Sequence, residues 1–493
     1  MVKMSLTYSY FLGLKNLTII SYIVKDIQKD NPHFMIQNID YHDPKTFELL
    51  SRGDTLGVFQ LESPGMKNLL RKMKPDSLDD IIAANALYRP GPMASIPQYL
   101  ARKFKKEKVQ YELPCLEPIL KSTYGIILYQ EQIMQIAQVV AGFTLAKADL
   151  LRKAISKKEI SLMSQMKVEF ISGSLVKGFN EEQSTRIFDL IEKFADYGLN
   201  KAHSVSYAMI AYQLAYLKTH YPLSFYSAIL SNEQGSDVNK MNYIQEARKY
   251  HIDILPPSIN YSFDRFTVEN QAIRYSLLAI KNVGYAGYQA IASERKKGLF
   301  TSIFDFAARM DGQKVNAKMF ESLVDAGAFD EFGYNRATIK ENMHKMSEYA
   351  ELKQTIGIDE PPILTMIKEN KLVRLELEKK ALGIYLTTHP IALIKQKLNI
   401  QVVSLGNLNQ YVNQKVLVVM SLSRVKTIVD KKGNNMCFIE GQDETGSVDG
   451  VVFSSVYKQY QDIFERGNVV LIEGKVDYRD KLSLIIQKVK KVV

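Results

Sequence analysis

Cysteine is scarce in this chain. Cys115 and Cys437 are the two cysteines among 493 residues, with no CxxC spacing and no nearby histidine pair. That argues against a disulfide framework and against a structural zinc, and for a reducing compartment. Long apolar runs are missing too, since no stretch approaches the ~18 apolar residues that a membrane span needs. The start, MVKMSLTYSYFLGL, has a short apolar stretch but no long hydrophobic region and no small-residue cleavage site. No repeat recurs at a solenoid period. The expectation is a cytoplasmic protein with no membrane partner.

What is present is bulk and positive charge. A chain of 493 residues exceeds one compact core and suggests about three or four domains. Hydrophobic content of 46% and charged content of 24% are ordinary for globular protein. The net charge of +11 favours a polyanionic partner, a solvated lysine-rich surface being the plain alternative.

The pattern changes several times along the chain. An apolar run from Phe11 to Val24 and a polar stretch ending at Asp43-Pro44 read as a helix and then a loop. Arg89-Pro90-Gly91-Pro92 is a rigid break. From about 116 to 232 apolar residues recur at spacings of three and four. Ile133, Ile136, Ala137 and Val140 form one such face; Ile187, Leu190, Ile191 and Phe194 form another. Residues 252–278 turn strand-like, with Pro256-Pro257 as a boundary. Short helices follow to about 345, then a Lys- and Glu-rich helical linker to about 400. From Val416, β-branched runs are separated by Lys431-Lys432-Gly433-Asn434, Asp443-Glu444-Thr445-Gly446 and Tyr478-Arg479-Asp480. Five strands with one helix between the third and fourth fit an OB-fold, a small barrel that commonly binds single strands.

Three constellations carry chemistry. Val283-Gly284-Tyr285-Ala286-Gly287, after Leu277 to Lys281, has the look of a helix-hairpin-helix. There, two glycines would make a tight turn that brings backbone N–H groups against a phosphate. Val324 to Phe329 holds a second glycine turn that would pair with it. A glycine C-cap is the competing reading of either turn. In Leu151 to Lys158, Arg152 and Ser156 share one helix face, and Lys153 and Lys157 the adjacent one. That group is either a phosphate clamp, with Arg as fork and Lys as point charge, or solvated charge. In Phe194 to Tyr207 a glycine turn precedes Asn200, Lys201, His203, Ser204 and Ser206. A helix start there would offer free N–H groups to an anion, Lys201 and His203 would add donors, and Ala202, Ser204 and Ser206 would admit a ligand closely. A capped helix start with a surface Lys and His is the alternative. The Tyr129-Gln130-Glu131-Gln132 segment joins an apolar run to a helix, and the residues alone give Gln130 and Glu131 no chemical role.

Taken together, VFQLESPGMKNLL, ALYRPGPM, YGIILYQEQIMQIAQ, ADLLRKAISKK, YGLNKAHSVSYAMIAYQ, IKNVGYAGYQAI, LVDAGAFD and LGIYLTTHP resemble, in order, blocks of the bacterial DNA polymerase III alpha subunit family. The resemblance covers essentially the whole chain. It implies a multidomain α+β protein: partial palm and palm–fingers junction at 1–115, helical fingers at 116–250, and a helix-hairpin-helix DNA-binding region at 251–345. A helical linker at 346–410 and an OB-fold β-barrel at 411–493 complete it. Carried over by block, Arg152 and Lys153 would face the incoming triphosphate. Lys201, His203 and Tyr207 would lie beside the nucleotide, and Arg89 near the active site. Gly284 and Gly287, with Lys281, would hold the duplex backbone. The implied activity is template-directed transfer of dNMP to a primer 3′-OH, with Mg2+ held by carboxylates. Primer-template DNA and dNTP are the implied partners, with a sliding clamp and other replisome subunits beyond them.

One departure from the family stands out. Tyr10 occupies the place of a metal-binding Asp in a strand written roughly K-x-D-F-L-G-L, and residues 1–9 contain no Asp or Glu. A neutral phenol is a poor Mg2+ ligand. The family's other metal carboxylates lie upstream of these blocks. The expectation is therefore an interrupted polymerase that binds DNA and nucleotide but extends no primer by itself. It would also expose apolar surface along Phe11 to Val24. A non-catalytic DNA-binding or replisome-interaction protein is the second reading. A repair enzyme is the third, and it leaves the RPGP and YQEQ blocks unexplained. Gln354-Thr355-Ile356-Gly357-Ile358 lies where a clamp-binding peptide would, lacks the aromatic end, and reads as ordinary linker.

Overall fold

The computed structural model describes residues 15–157, 159–195, 199–233, 235–398, 400–430, 432–478 and 481–492. Tyr10 lies outside them, as do Lys158, Asp196, Tyr197, Gly198, Lys431, Arg479, Asp480 and the side chains of Ser156, Lys157 and Phe194. The chain divides into two compact units, Met1–Asn232 and Glu233–Val493. Among the described residues no helix is long and apolar enough to cross a membrane.

The described part of the first unit is helical, and its helices start where the local chemistry says they should. Pro44 and Pro64 stand at first helical positions, where a fixed φ helps and a missing N–H costs nothing. The residues before them, Asp43 and Ser63, accept the N–H groups of Thr46 and Met66. The Lys15–Ile27 helix buries Ile19, Ile20, Ile23 and Ile27 and packs on the Pro222–Asn232 helix. In the described part of the Phe11–Val24 run, Ile19, Ile20 and Ile23 are core while Leu17 is 51% exposed; Phe11 to Leu14 lie outside the described residues. Each isoleucine so buried contributes about 1.5–3 kcal/mol.

Four helices, Gln130–Ala141, Leu145–Lys157, Ile160–Val176 and Glu181–Ala195, share one apolar core. Ile133, Ile136, Ala137 and Val140 all face it. On the last helix Ile187 and Ile191 do too, but Leu190 is 42% exposed. It stands at the edge of an apolar stripe whose width the spacing alone overstates. Gly173 lets two of these helices touch, because a Cβ there would overlap the Ala141 carbonyl. The long Lys201–His220 helix lies on the Leu78–Leu87 helix and buries Ala208, Ala211, Tyr212, Leu214 and Ala215.

The second unit opens on the Asp237–Lys249 helix and a three-stranded sheet of β1 (Ile254–Leu255), β2 (Thr267–Glu269) and β3 (Ala272–Arg274), in the order β1-β3-β2. Pro256-Pro257, expected as a boundary, lies close to the start of the three-stranded sheet. It follows β1 inside the unit, where β1 pairs with β3 and the Ile259 N–H bonds to the Ala328 carbonyl at 2.8 Å. Helices Tyr285–Lys297, Ile303–Met310, Ala317–Ala326 and Arg336–Glu341 come next.

The Lys- and Glu-rich segment beyond is more than a spacer. Glu378, on the Lys371–Leu382 helix, is fully buried and accepts hydrogen bonds from the Leu386 and Thr387 N–H groups and from Arg336 at 3.1 Å. Carbonyls of Ala381, Leu382 and Leu386 receive Lys281 N–H, Tyr275, Lys240 and Arg248. The LGIYL block is therefore the tie between the Asp237–Lys249 helix and the hairpin region.

Five strands close the chain: β4 (Lys415–Val429), β5 (Asn435–Gln442), β6 (Ser447–Val452), β7 (Val469–Tyr478) and β8 (Leu482–Lys491). They form a closed barrel, β4-β5-β6-β8-β7, antiparallel except for β6 with β8. The Ser454–Tyr460 helix lies between the third and fourth barrel strands. Inward residues such as Val418, Met420, Ile439, Val470, Ile472 and Leu484 fill the interior, as period-two alternation dictates.

Candidate functional site

An isolated parallel bridge between Tyr129 and Leu199 joins segments seventy residues apart, with the Gln130 N–H on the Leu199 carbonyl at 3.0 Å. This junction sets the start of the Lys201–His220 helix beside the start of the Gln130–Ala141 helix. Lys201 Nζ lies 5.5 Å from the centre of the buried Tyr129 ring, a cation over an aromatic face. Two residues on, His203 packs against Tyr207 with ring centres 4.0 Å apart, and Tyr207 meets Phe59 edge-on.

The Leu145–Lys157 helix adds the other cations. Arg152 is half-buried. Its Nε and Nη2 both reach Asp149 Oδ1, at 2.9 and 2.8 Å, and its Nη1 donates to Gln130 Oε1 at 3.3 Å. Lys153 is 56% exposed and pairs with Asp149 Oδ2 at 2.8 Å. The Lys153 ammonium and then the Arg152 guanidinium hold the Asp149 carboxyl below its usual range. Gln130 thus links this helix to the Tyr129–Leu199 junction. Gln130 and Glu131, in one helix turn, touch Arg152 on one helix and the backbone of Lys201 on another.

The start of the Lys201–His220 helix is not free for an anion. The Lys201 N–H donates to both oxygens of Glu131, at 3.0 and 2.9 Å, and the His203 N–H to Asn200 Oδ1 at 2.9 Å. The capped reading holds for the backbone, because a carboxylate already satisfies the helix end that attracts negative charge. Ser204, expected to line a ligand site, is buried, while Ala202 and Ser206 are exposed. Arg89 is exposed in the turn after the Leu78–Leu87 helix, where Gly91 adopts φ 101°, a conformation that favours glycine. Among the described residues no side-chain bond ties Arg89 to the cluster.

The hairpin is built differently from its sequence reading. Gly284 is extended, at φ −88° and ψ 160°, and opens the Tyr285–Lys297 helix with no side-chain cap. The left-handed residue of the turn is Asn282, at φ 66°, held by its amide on Ser322 at 2.9 Å. Gly287 makes no turn. It sits inside the helix, where a Cβ would overlap the Met319 sulfur. Gly327 is a C-cap, at φ 86°, with the Schellman pair Ala328 N–H to Leu323 and Gly327 N–H to Val324. Lys281, half exposed, pairs with Asp237 at 3.0 Å. The N–H groups of Tyr285, Ala286 and Gly287 at this helix start therefore have no side-chain cap, the condition in which a helix start can receive an anion.

On the barrel, a groove of about 690 Å³ is lined by Arg424, Lys426, Phe438, Glu440, Asp449 and Lys481. Phe438 is 43% exposed and lies directly opposite Lys426 across the β4–β5 pair. Its neighbours Cys437 and Ile439 are buried, so an aromatic stands on the outward face. That exception to the alternation was the available signal for this surface. Gln354 lies in the last turn of the Met343–Ile356 helix, with its amide 3.4 Å from the Ala308 carbonyl.

Comparison with known proteins gives these features a context. Residues 16–178 match the bacterial DNA polymerase III alpha subunit finger domain. Residues 251–339 match a helix-hairpin-helix motif, and residues 418–492 an OB-fold nucleic acid binding domain. The chain is 43% identical over 492 residues to DNA polymerase III subunit alpha of Bacillus subtilis (strain 168), covering 97% of this chain and 44% of that protein. The like-named protein of Halalkalibacterium halodurans is 39% identical, with the same coverage. That of Staphylococcus aureus (strain MSSA476) is 41% identical over 97% of this chain and 46% of its own length. The chain spans less than half the length of these relatives.

Proposed function

Because the chain belongs to the bacterial DNA polymerase III alpha subunit family, we propose that it is the part of such an enzyme that grips primer-template DNA and the incoming dNTP during replication. The observation that supports this reading is the Tyr129–Leu199 junction, from which Gln130 reaches Arg152 and Glu131 reaches the Lys201 N–H; on this reading Lys153, His203 and Tyr207 share the site. Arg152 supplies a fork to a phosphate, and Lys153 and Lys201 supply point charges. The His203–Tyr207 pair offers an aromatic face at the same surface. Arg89 would join them once a ligand is bound. In domain terms, the finger-domain match at residues 16–178 starts well before residue 116, so the fingers are proposed to begin inside the stretch expected to be palm edge, with the hairpin region at 251–345, the linker at 346–410 and the barrel at 411–493.

Duplex would lie against the open helix start at Gly284, with Lys281 at its side, and a single strand would cross the Phe438 groove of the barrel. The reaction of the whole enzyme would be transfer of dNMP to a primer 3′-OH, with Mg2+ supplying charge stabilisation when bound. Among the described residues no group of three or more His, Cys, Asp or Glu is placed to hold a metal ion. The described residues therefore do not fit the ion. A sliding clamp and other replisome subunits are proposed partners of the whole protein.

The test is nucleotide binding. Arg152→Ala should weaken dATP binding to the purified chain about tenfold while leaving duplex binding unchanged, the scale of one charged hydrogen-bonded contact. Undiminished dATP affinity would remove the reading. Primer extension separates catalysis from binding: the chain alone should bind primed template with dNTP and Mg2+ present yet add no nucleotide.

A further inference from the structure

Gln130 and Glu131 are consecutive residues in the first turn of the Gln130–Ala141 helix, so their side chains leave it about 100° apart. Each reaches a different neighbour. Gln130 Oε1 accepts from Arg152 Nη1 at 3.3 Å, on the Leu145–Lys157 helix. Glu131 accepts the Lys201 N–H with both oxygens, at 3.0 and 2.9 Å, on the Lys201–His220 helix. The segment that carries them is itself fixed. Gln132, buried, accepts from the Leu128 and Tyr129 N–H groups at 2.8 and 3.0 Å, and donates to the Ile119 carbonyl at 3.1 Å and to Thr123 Oγ1 at 2.9 Å. A side chain with every polar atom used does not change rotamer freely, so the two arms project from a rigid base.

We propose that Gln130 and Glu131 are positioning residues, a two-armed bracket that sets the separation of Arg152 and Lys201 so that one polyphosphate spans both. The inference rests on the reading of Arg152 and Lys201 as phosphate-binding groups. It explains why a carboxylate stands beside a site meant for an anion. On charge alone Glu131 repels a phosphate, and its removal should tighten binding. As a bracket it aligns the start of the Lys201–His220 helix, and its removal should weaken binding of any ligand that needs both helices. The two accounts predict opposite signs.

The experiment is calorimetric binding of inorganic tripolyphosphate, dATP and inorganic phosphate to the purified chain and to Gln130→Ala, Glu131→Gln and Arg152→Ala. Glu131→Gln keeps one acceptor for the Lys201 N–H but loses the second bond and the charge. Gln130→Ala alters a half-buried neutral side chain and leaves the helix start intact. The expected result is that Gln130→Ala and Glu131→Gln each weaken tripolyphosphate and dATP about tenfold, the scale on which supporting hydrogen bonds tune a bound ion. Inorganic phosphate, which touches one helix, should change less than about twofold in both variants. Thermal melting near that of the parent chain accompanies this result. Tighter or unchanged polyphosphate binding in both variants overturns the bracket, as does an equal loss for inorganic phosphate. If Arg152→Ala leaves polyphosphate affinity unchanged, the phosphate reading itself falls and takes the bracket with it. If Arg152→Ala weakens binding and the other two do not, the bracket alone falls.

Discussion

Two glycines three residues apart, Gly284 and Gly287, should respond oppositely to the same added methyl group. Gly284 has a backbone that any residue adopts, and an ideal Cβ there meets nothing within 4 Å. Alanine is a poorer helix cap than glycine by about 0.5 kcal/mol. The stiffer unfolded chain returns about 0.4–1 kcal/mol. Stability of Gly284→Ala should therefore stay within about 0.5 kcal/mol of the parent chain. The methyl nonetheless stands at the uncapped N–H groups of Tyr285 to Gly287, where a phosphate would approach. Loss of one charge-assisted contact there costs about 1.5 kcal/mol, roughly tenfold in Kd. Gly287→Ala does the reverse. Its Cβ would overlap the sulfur of Met319, which is 2% exposed, and would stand 3.0 Å from the Lys314 carbonyl. Overpacking of that kind costs about 1–3 kcal/mol, and the better helix propensity of alanine recovers at most about 1. Thermal melting and fluorescence anisotropy with a labelled duplex measure both quantities. Gly284→Ala should melt like the parent and bind duplex about tenfold more weakly, whereas Gly287→Ala should melt lower. Full duplex affinity in Gly284→Ala would refute the claim that this helix start holds the backbone.

Other perturbations probe other links. Arg336→Met strands the fully buried Glu378 carboxylate without its cation and should cost about 3–5 kcal/mol in denaturant unfolding. Adding Glu378→Gln should recover part of that loss. Phe438→Ala removes an outward aromatic from the barrel groove and should weaken single-strand binding by about 1–3 kcal/mol while the barrel melts as before. His389 is pushed down to about 4 by burial, with Lys379 and Lys395 adding to the depression against Asp443. The unfolded chain then takes up a proton near pH 6.5 that the fold refuses until about pH 4. Stability is fully present above the unfolded value and falls as pH drops through that window, by up to about 3 kcal/mol. His389→Asn should flatten that decline.

The barrel was legible because period-two alternation and turn residues are local signals, and five runs with one helix between the third and fourth pointed to an OB-fold. The faces of the first unit were legible for the same reason, with Leu190 lost at a stripe edge. What sequence could not disclose was long-range. Gln130 meets Arg152 across twenty-two residues and Glu131 meets Lys201 across seventy, and no local pattern encodes either pair. Glycine was ambiguous in kind: Gly284, Gly287 and Gly327 read alike, yet one opens a helix, one admits Met319 and one caps a C-terminus. Asn200 as a helix cap was visible in the sequence. The carboxylate that closes the same helix start came from another helix and was not.

The most direct test of the central claim is the salt dependence of primed-template binding by the purified chain. If the hairpin region and the barrel groove grip the backbone through cations and helix N–H groups, log Kd should rise steeply and linearly with log salt, by several units of slope. Affinity that is flat with salt, or absent at low salt, would contradict the account.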